Sequence, residues 1–273
     1  MRLAVVGHVE HVTLGRVPAL PPPGGIAHLA APRWFPGGGG GVALLQLARS
    51  AGEVHLFTAL GDDEAARQIE AALAATRVHV HAARRAAVHT RDVVLVTPDG
   101  ERTIVVVGEP LHPEAADPLP WDLLASCEAV YFTAQDPAAL RQCRAARRLV
   151  VTARRRAALA ASGVRADVVV GSALDAREAS TLADYPVAPG ALVMTEGAAG
   201  GRVETAGGTA RFAPAPSAPS GGAAYGAGDS FAGALTWYLA RGLDAVDACE
   251  RAAPHGAAVL GGLDPRDTQL PLL

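Results

Sequence analysis

The residue best placed by type and spacing to move a proton is Asp229. It follows Gly226, Ala227 and Gly228 and precedes apolar positions at Phe231, Ala234, Leu235, Tyr238 and Leu239. That spacing predicts a helix that opens at the glycines and stops at Gly242. A helix N-terminus presents unpaired N–H groups and the positive end of the helix dipole, and residues this small let an anion reach them. Asp229 beside such an anion is either a proton acceptor or an N-terminal cap. An anion hole with an adjacent base suits phosphoryl transfer to a hydroxyl.

Other chemistry-bearing residues lie where strands end or helices begin. Glu10 follows the buried run Leu3–Gly7, at the strand end where open α/β sheets bind ligands, and is a candidate acceptor for a substrate hydroxyl. Pro36 leads into five consecutive glycines, Gly37 to Gly41, ahead of the helical run Val42–Arg49. Glycine in ordered structure costs about 0.5–1 kcal/mol relative to alanine, so such a loop is better explained by close approach to a ligand than as a linker. Asp175 and Glu178, three apart, are expected to open a helix, either as ligands of hydrated Mg²⁺ or as a capping box. The strand Ala191–Thr195 runs into a third small-residue loop, Glu196–Gly201. His79 and His81 alternate on one strand face, where solvation is the simpler reading than a metal site.

These residues need a scaffold, and composition limits it. The chain has 273 residues, 50% hydrophobic but only 4% aromatic, enough for one α/β domain with a core of Ala, Val and Leu. Its net charge of −3 offers no basic footprint for nucleic acid. No apolar run reaches membrane-spanning length and Leu3–Val6 lacks the build of a signal peptide, so a soluble, cytoplasmic protein is expected. Cys127, Cys143 and Cys249 read as buried free thiols. All 24 basic residues are arginine, which excludes a Walker A lysine and Schiff-base chemistry. Strands are expected at 54–60, 78–81, 130–133, 149–152, 168–170 and 191–195, and helices at 64–73, 137–147 and after Asp244, whose Ala248, Ala252 and Ala257 leave room for a planar group. Residues 12–35 read as irregular or edge strand, 92–107 as a hairpin turning at Pro98–Glu101, and 214–219 as an extended connector.

Taken together, Gly37–Gly41, Gly61-Asp62-Asp63, the hairpin with Asp99-Gly100, Thr195–Gly200 and Gly226–Asp229 resemble the ribokinase-like (PfkB) family of carbohydrate and nucleoside kinases, in family order along nearly the whole chain. The resemblance implies a Rossmann-like three-layer α/β/α core, one domain over residues 1–273, with lid segments at about 12–35 and 88–108 forming a small β-sheet. It implies ATP- and Mg²⁺-dependent phosphorylation of a hydroxymethyl group on a sugar or nucleoside-like alcohol; a lid sheet with a free edge could in addition pair with a second copy to give a homodimer through the lid. Asp229 would be the catalytic base, with Gly226, Ala227 and Gly228 as the anion hole. Thr195, Gly197, Gly200 and Ala253 would line the nucleotide site, Asp175 and Glu178 would act on Mg²⁺, and Glu10, Gly37, Gly38, Gly39 and Val42 would face the substrate. Three positions depart from the family pattern. Val42 replaces an asparagine, Val12 stands where an acidic residue is usual, and Ala223 replaces an aspartate. Weak ribose phosphorylation and little K⁺ dependence are the corresponding expectations. A nucleotide- or sugar-binding homologue without turnover is the alternative, and a GDS-type hydrolase, from Gly228-Asp229-Ser230, a remote one.

Overall fold

The computed structural model describes residues 1–216 and 221–273. Its centre is a nine-stranded sheet. In chain order the core elements are β1 (Arg2–Val6), α1 (Gly38–Leu47), β4 (Glu53–Leu60), α2 (Glu64–Ala74), β5 (Val78–Arg84), β8 (Ala129–Phe132), α3 (Pro137–Cys143), β9 (Leu149–Thr152), α4 (Arg156–Ser162), β10 (Val168–Ser172), β11 (Ala191–Thr195), β12 (Gly201–Thr205), β13 (Gly208–Phe212), α5 (Ala227–Ala240), α6 (Ala245–Ala258) and α7 (Pro265–Thr268). The interposed β2 (Glu10–Arg16), β3 (Ala30–Gly37), β6 (Arg91–Val96) and β7 (Arg102–Val107) form a second, four-stranded sheet.

Strand order in the large sheet is β13-β12-β11-β10-β9-β8-β1-β4-β5, parallel except for the β12–β13 hairpin. Parallel strands must be covered on both faces, and alternation does this residue by residue. Leu3 and Val5 of β1 point into a cluster with Leu44, Ile69, Leu235 and Trp237, whereas Ala4 and Val6 join Phe132, Leu140 and Val169 on the other face. The result is an α/β/α core with a small sheet beside it.

That small sheet, ordered β3-β2-β6-β7, packs through Val12, Leu14, Val94 and Val96 against Phe35, Val42 and Tyr225. Only Gly7, His8 and Val9 separate β1 from β2, so the chain passes directly from the core sheet into it. The hairpin expected at 92–107 forms as β6 and β7, and Asp99 closes its turn by accepting from Thr97 Oγ1 at 2.6 Å and Glu101 N at 3.2 Å. Residues 12–35, read as irregular or edge strand within that small sheet, supply most of β2 and of β3, and β3 lies at its edge.

Three local expectations need correction. Residues 175–178 make turns rather than a helix, because the Asp175 carboxylate accepts from Arg177 N at 2.9 Å and its carbonyl from Glu178 N at 2.9 Å. Ala248 and Ala252 are fully buried in the core and leave no room for a planar group. The helix capped by Asp244 is followed by α7. The connector expected at 214–219 lies partly outside the described residues. His79 and His81 sit beside His55, whose Nδ1 is 3.0 Å from His81 Nε2 and whose Nε2 is 2.9 Å from Glu53, and no metal-holding group occurs among the described residues. The thiols are free and buried. Among the described residues no helix is long and apolar enough to cross a membrane.

Candidate active site

The carboxyl ends of β1, β8, β9 and β10 meet the start of α5, beside the point where successive connections from β1 diverge. A crevice at such a switch point is where open α/β sheets bind ligands. Gly226 is the N-cap of α5, with φ 81°, and no side chain caps the helix. The first bond into the helix is from Ser230 N to the Gly226 carbonyl at 2.9 Å, so the amides of Ala227, Gly228 and Asp229 precede it and have no intrahelical acceptor. A side chain built on Gly228 would meet nothing within 4 Å, so these donors face open space.

Asp229 is half-buried at this mouth and is not a cap. Burial first, and the nearby Glu178 carboxylate second, push its carboxyl up to about 6, while Arg154 and Arg102 hold it down. A carboxylate poised near neutrality is suited to general-base work.

The glycine run is explained by its contacts. A Cβ on Gly38 would lie 2.9 Å from Glu10 Oε2, one on Gly39 would lie 3.1 Å from Asp229 Oδ1 and 3.3 Å from Thr133 Oγ1, and one on Gly40 would strike the His8 carbonyl. Gly37 faces Val12 and the Tyr225 hydroxyl, which accepts from Gly38 N at 2.9 Å. The loop therefore lets Glu10, Thr133 and Asp229 converge on one space. Glu10, 7% exposed, lies against Asp92 across the small sheet. Burial, then the Asp92 carboxyl, raise Glu10 to about 9, and burial raises Asp92 too, so the pair holds a proton at neutral pH.

Asp175 and Glu178 do converge, on Arg154, which pairs with them at 2.7 and 2.6 Å. Glu178 also accepts from Ser172 N at 2.9 Å, tying the turn to the end of β10. Thr195 ends β11, and Gly197 and Gly200 take φ 59° and 80° in the loop beyond it. Exposed Leu174 stands beside Gly197, and Phe212 at the end of β13 stacks on Phe231 of α5 at 5.9 Å. Ala253 is half-buried on α6, whose Gly256 abuts the Ala227 carbonyl. Val42 does not face the crevice. It is fully buried, with its methyls beneath Gly226, because the helical turn begun at Gly38 rotates it into the Phe35–Tyr225 cluster.

Several residues of the site carried no signal in the sequence. Thr133 follows β8, Arg154 and Arg155 follow β9, His8 follows β1, and Arg102 opens β7. His112 approaches from the loop after the small sheet, its ring 4.9 Å from that of His8.

The family model described as pfkB family carbohydrate kinase matches residues 2–270. Among solved structures, the ribokinase of Thermotoga maritima is similar at a TM-score of 0.77 and 15% identity, over 99% of this chain and 96% of that one. The adenosine kinase of Sinorhizobium meliloti follows at 0.76 and 17%, over 97% and 95%. Phosphofructokinase-2 of Escherichia coli, in complex with fructose-6-phosphate, is similar at 0.72 and 18%, over 97% and 96%. At these identities the likeness establishes the three-layer fold with its second sheet. A search among curated proteins returned no match.

Proposed function

The chain belongs to the pfkB family of carbohydrate kinases, and on that premise we propose that it transfers the γ-phosphate of ATP, with Mg²⁺, to a hydroxymethyl group of a small sugar-like or nucleoside-like alcohol. The observation that carries this is the pairing of Asp229, its carboxyl near 6, with the open amides of Ala227, Gly228 and Asp229. Those amides would cradle the transferring phosphate, stabilising charge that grows as the reaction proceeds. Asp229 would take the proton from the hydroxyl as the oxygen attacks. Glu10 and Asp92, sharing a proton, would orient the acceptor with one donor and several acceptor oxygens.

The donor set fits a nucleotide triphosphate with a hydrated cation rather than a metal cage. Among the described residues no group of three or more His, Cys, Asp or Glu could hold a metal, so Mg²⁺ would be held by phosphate oxygens and water, with the Asp175 and Glu178 carboxylates facing that water and Arg154, which pairs with both, donating to a phosphate oxygen. When bound, Mg²⁺ supplies charge neutralisation at the β- and γ-phosphates. Thr195, Gly197 and Gly200 would border the nucleotide, Leu174 offers an apolar contact for its base, and Ala253 backs that side. The four-stranded sheet would serve as lid to a single kinase domain, and the exposed edge strand β7, with Ile104 to Val107 all exposed, supports pairing of two copies. Release of ADP from ATP and Mg²⁺ across a panel of sugars and nucleosides tests the reading. Acceptor-dependent release is expected, and nucleotide binding without it would leave a binding protein.

A further inference from the structure

The acceptor end of the crevice holds a cation, Arg155, that no carboxylate pairs with among the described residues. Arg155 donates from Nε to the Thr133 carbonyl at 2.8 Å, and its Nη2 stands 3.4 Å from His112 Nε2. Among the described residues it forms no ion pair, whereas the adjacent Arg154 has two carboxylate partners. A half-buried guanidinium without a counter-ion is costly unless an anion joins it. Beside it, His8 is 9% exposed and its Nδ1 has no hydrogen-bond partner, and the buried Nδ1 of His112 is likewise orphaned. Buried polar atoms of this kind are normally satisfied. Burial and then Arg155 hold His8 down to about 3, and burial, then His8, then Arg155 hold His112 to about 2, so both imidazoles are neutral and each keeps one N–H to donate.

Position separates this corner from the phosphate being transferred. The cations acting on Asp229 are Arg154 and Arg102, and Arg155, which is not among them, acts on Glu10, His8 and His112, with Arg154 reaching His8 as well. Thr133 links the two ends, its carbonyl on Arg155 and its hydroxyl facing the glycine loop opposite Asp229. Glu10 and Asp92 share a proton, so the pair carries a single negative charge, and among the described residues neither carboxyl forms an ion pair with Arg155.

Resting on the kinase reading, we propose that the acceptor carries a carboxylate or phosphate at the end remote from its hydroxymethyl group, and that Arg155, with His8 and His112, binds that anion and sets substrate choice. A planar guanidinium fork with neutral imidazole donors suits a group with two or three oxygens in a plane or pyramid.

Two matched pairs of acceptors test this with the full chain, ATP and Mg²⁺: gluconate against glucose, and fructose 6-phosphate against fructose. At least one anionic member is expected to exceed its neutral partner about 100-fold in kcat/KM, and the pair that responds tells carboxylate from phosphate. Arg155→Gln should raise the KM of that anion about 10–100-fold while leaving its kcat and the KM of ATP within a few-fold, and Arg155→Lys should recover part of the loss. Thermal shift by the same four compounds without nucleotide gives a second readout, with His112→Asn as a variant should Arg155→Gln fold poorly. Neutral acceptors turned over as well as anionic ones would overturn the proposal and leave the kinase reading intact, as would an Arg155→Gln defect confined to ATP. With no turnover at all, an Arg155-dependent shift by an anion keeps the anion site and sinks the kinase reading. Absence of both sinks the proposal as well.

Discussion

Replacing Asp229 by Asn separates its roles as base and helix residue. Asn keeps size and polarity but cannot accept the proton, and positioned general bases contribute about 10²–10⁴-fold, or about 2.7–5.4 kcal/mol of barrier. The structure adds a pH signature. With its carboxyl near 6, Asp229 is about 90% ionised at pH 7 and about 10% at pH 5. Turnover by the wild-type chain should therefore fall roughly tenfold over that interval, whereas Asp229→Asn should keep only its low residual rate with no break near 6. Stability moves the other way. The folded carboxyl binds its proton more tightly than the unfolded one, so ionising Asp229 subtracts from stability as pH rises from about 4 to 6, and the full penalty stands above that. About two pKa units set a ceiling of about 3 kcal/mol on what Asn relieves. ADP release measured from pH 5 to 8, together with melting temperature at pH 7.5, checks both arms. Asp229→Asn is expected to melt at the same temperature or higher. If it melts lower while the folded fraction turns over normally, Asp229 is a structural residue and the assignment of the base is wrong.

Three further substitutions read neighbouring parts of the site. Gly228→Ala places its methyl in open space, so the fold should gain up to about 1 kcal/mol from the stiffer chain, while KM for ATP, measured by steady-state ADP release, should rise at least about tenfold because the methyl occupies the anion's approach. Gly40→Ala drives its Cβ onto the His8 carbonyl and should cost about 1–3 kcal/mol in chemical denaturation. Arg154→Gln removes a cation that holds the Asp229 carboxyl down, so the acid limb of the rate profile should move above 6, and an unmoved limb would mean that Arg154 is too distant to matter.

Much of this architecture could be read from local pattern, and what could not has a common cause. Short β-branched apolar runs in 93–96 and 103–107 with Asp99-Gly100 between them specify a hairpin without help from the rest of the chain, and the spacing after Asp229 specifies α5. The hairpin β12–β13 went unanticipated because Gly-Arg-Val-Glu-Thr and Gly-Thr-Ala-Arg-Phe hold few β-branched residues; pairing with β11, rather than propensity, makes them strands. In the site, Asp229, Glu10 and the glycine loop were visible by residue type. Arg154 and Arg155 lie in a run of three arginines that reads as a solvated face, and only the ends of β8, β9 and β10 bring them inside. Val42 shows the converse: its place in the motif suggested a substrate contact, but helical phase turns it into the small apolar cluster.

Among the described residues the turn at 97–101 is joined to the core by one backbone hydrogen bond, from Ala224 N to the Gly100 carbonyl at 3.3 Å, three residues before the free amides begin at Ala227. Ala223 in turn donates to Gly262 and Gly222 to Leu260, so this short stretch is clamped from below and gripped from above. Lifting the hairpin must either break that bond or pull on the peptide leading into α5. The position of the hairpin and the set of the peptide that leads to the open amides of α5 are thus mechanically joined.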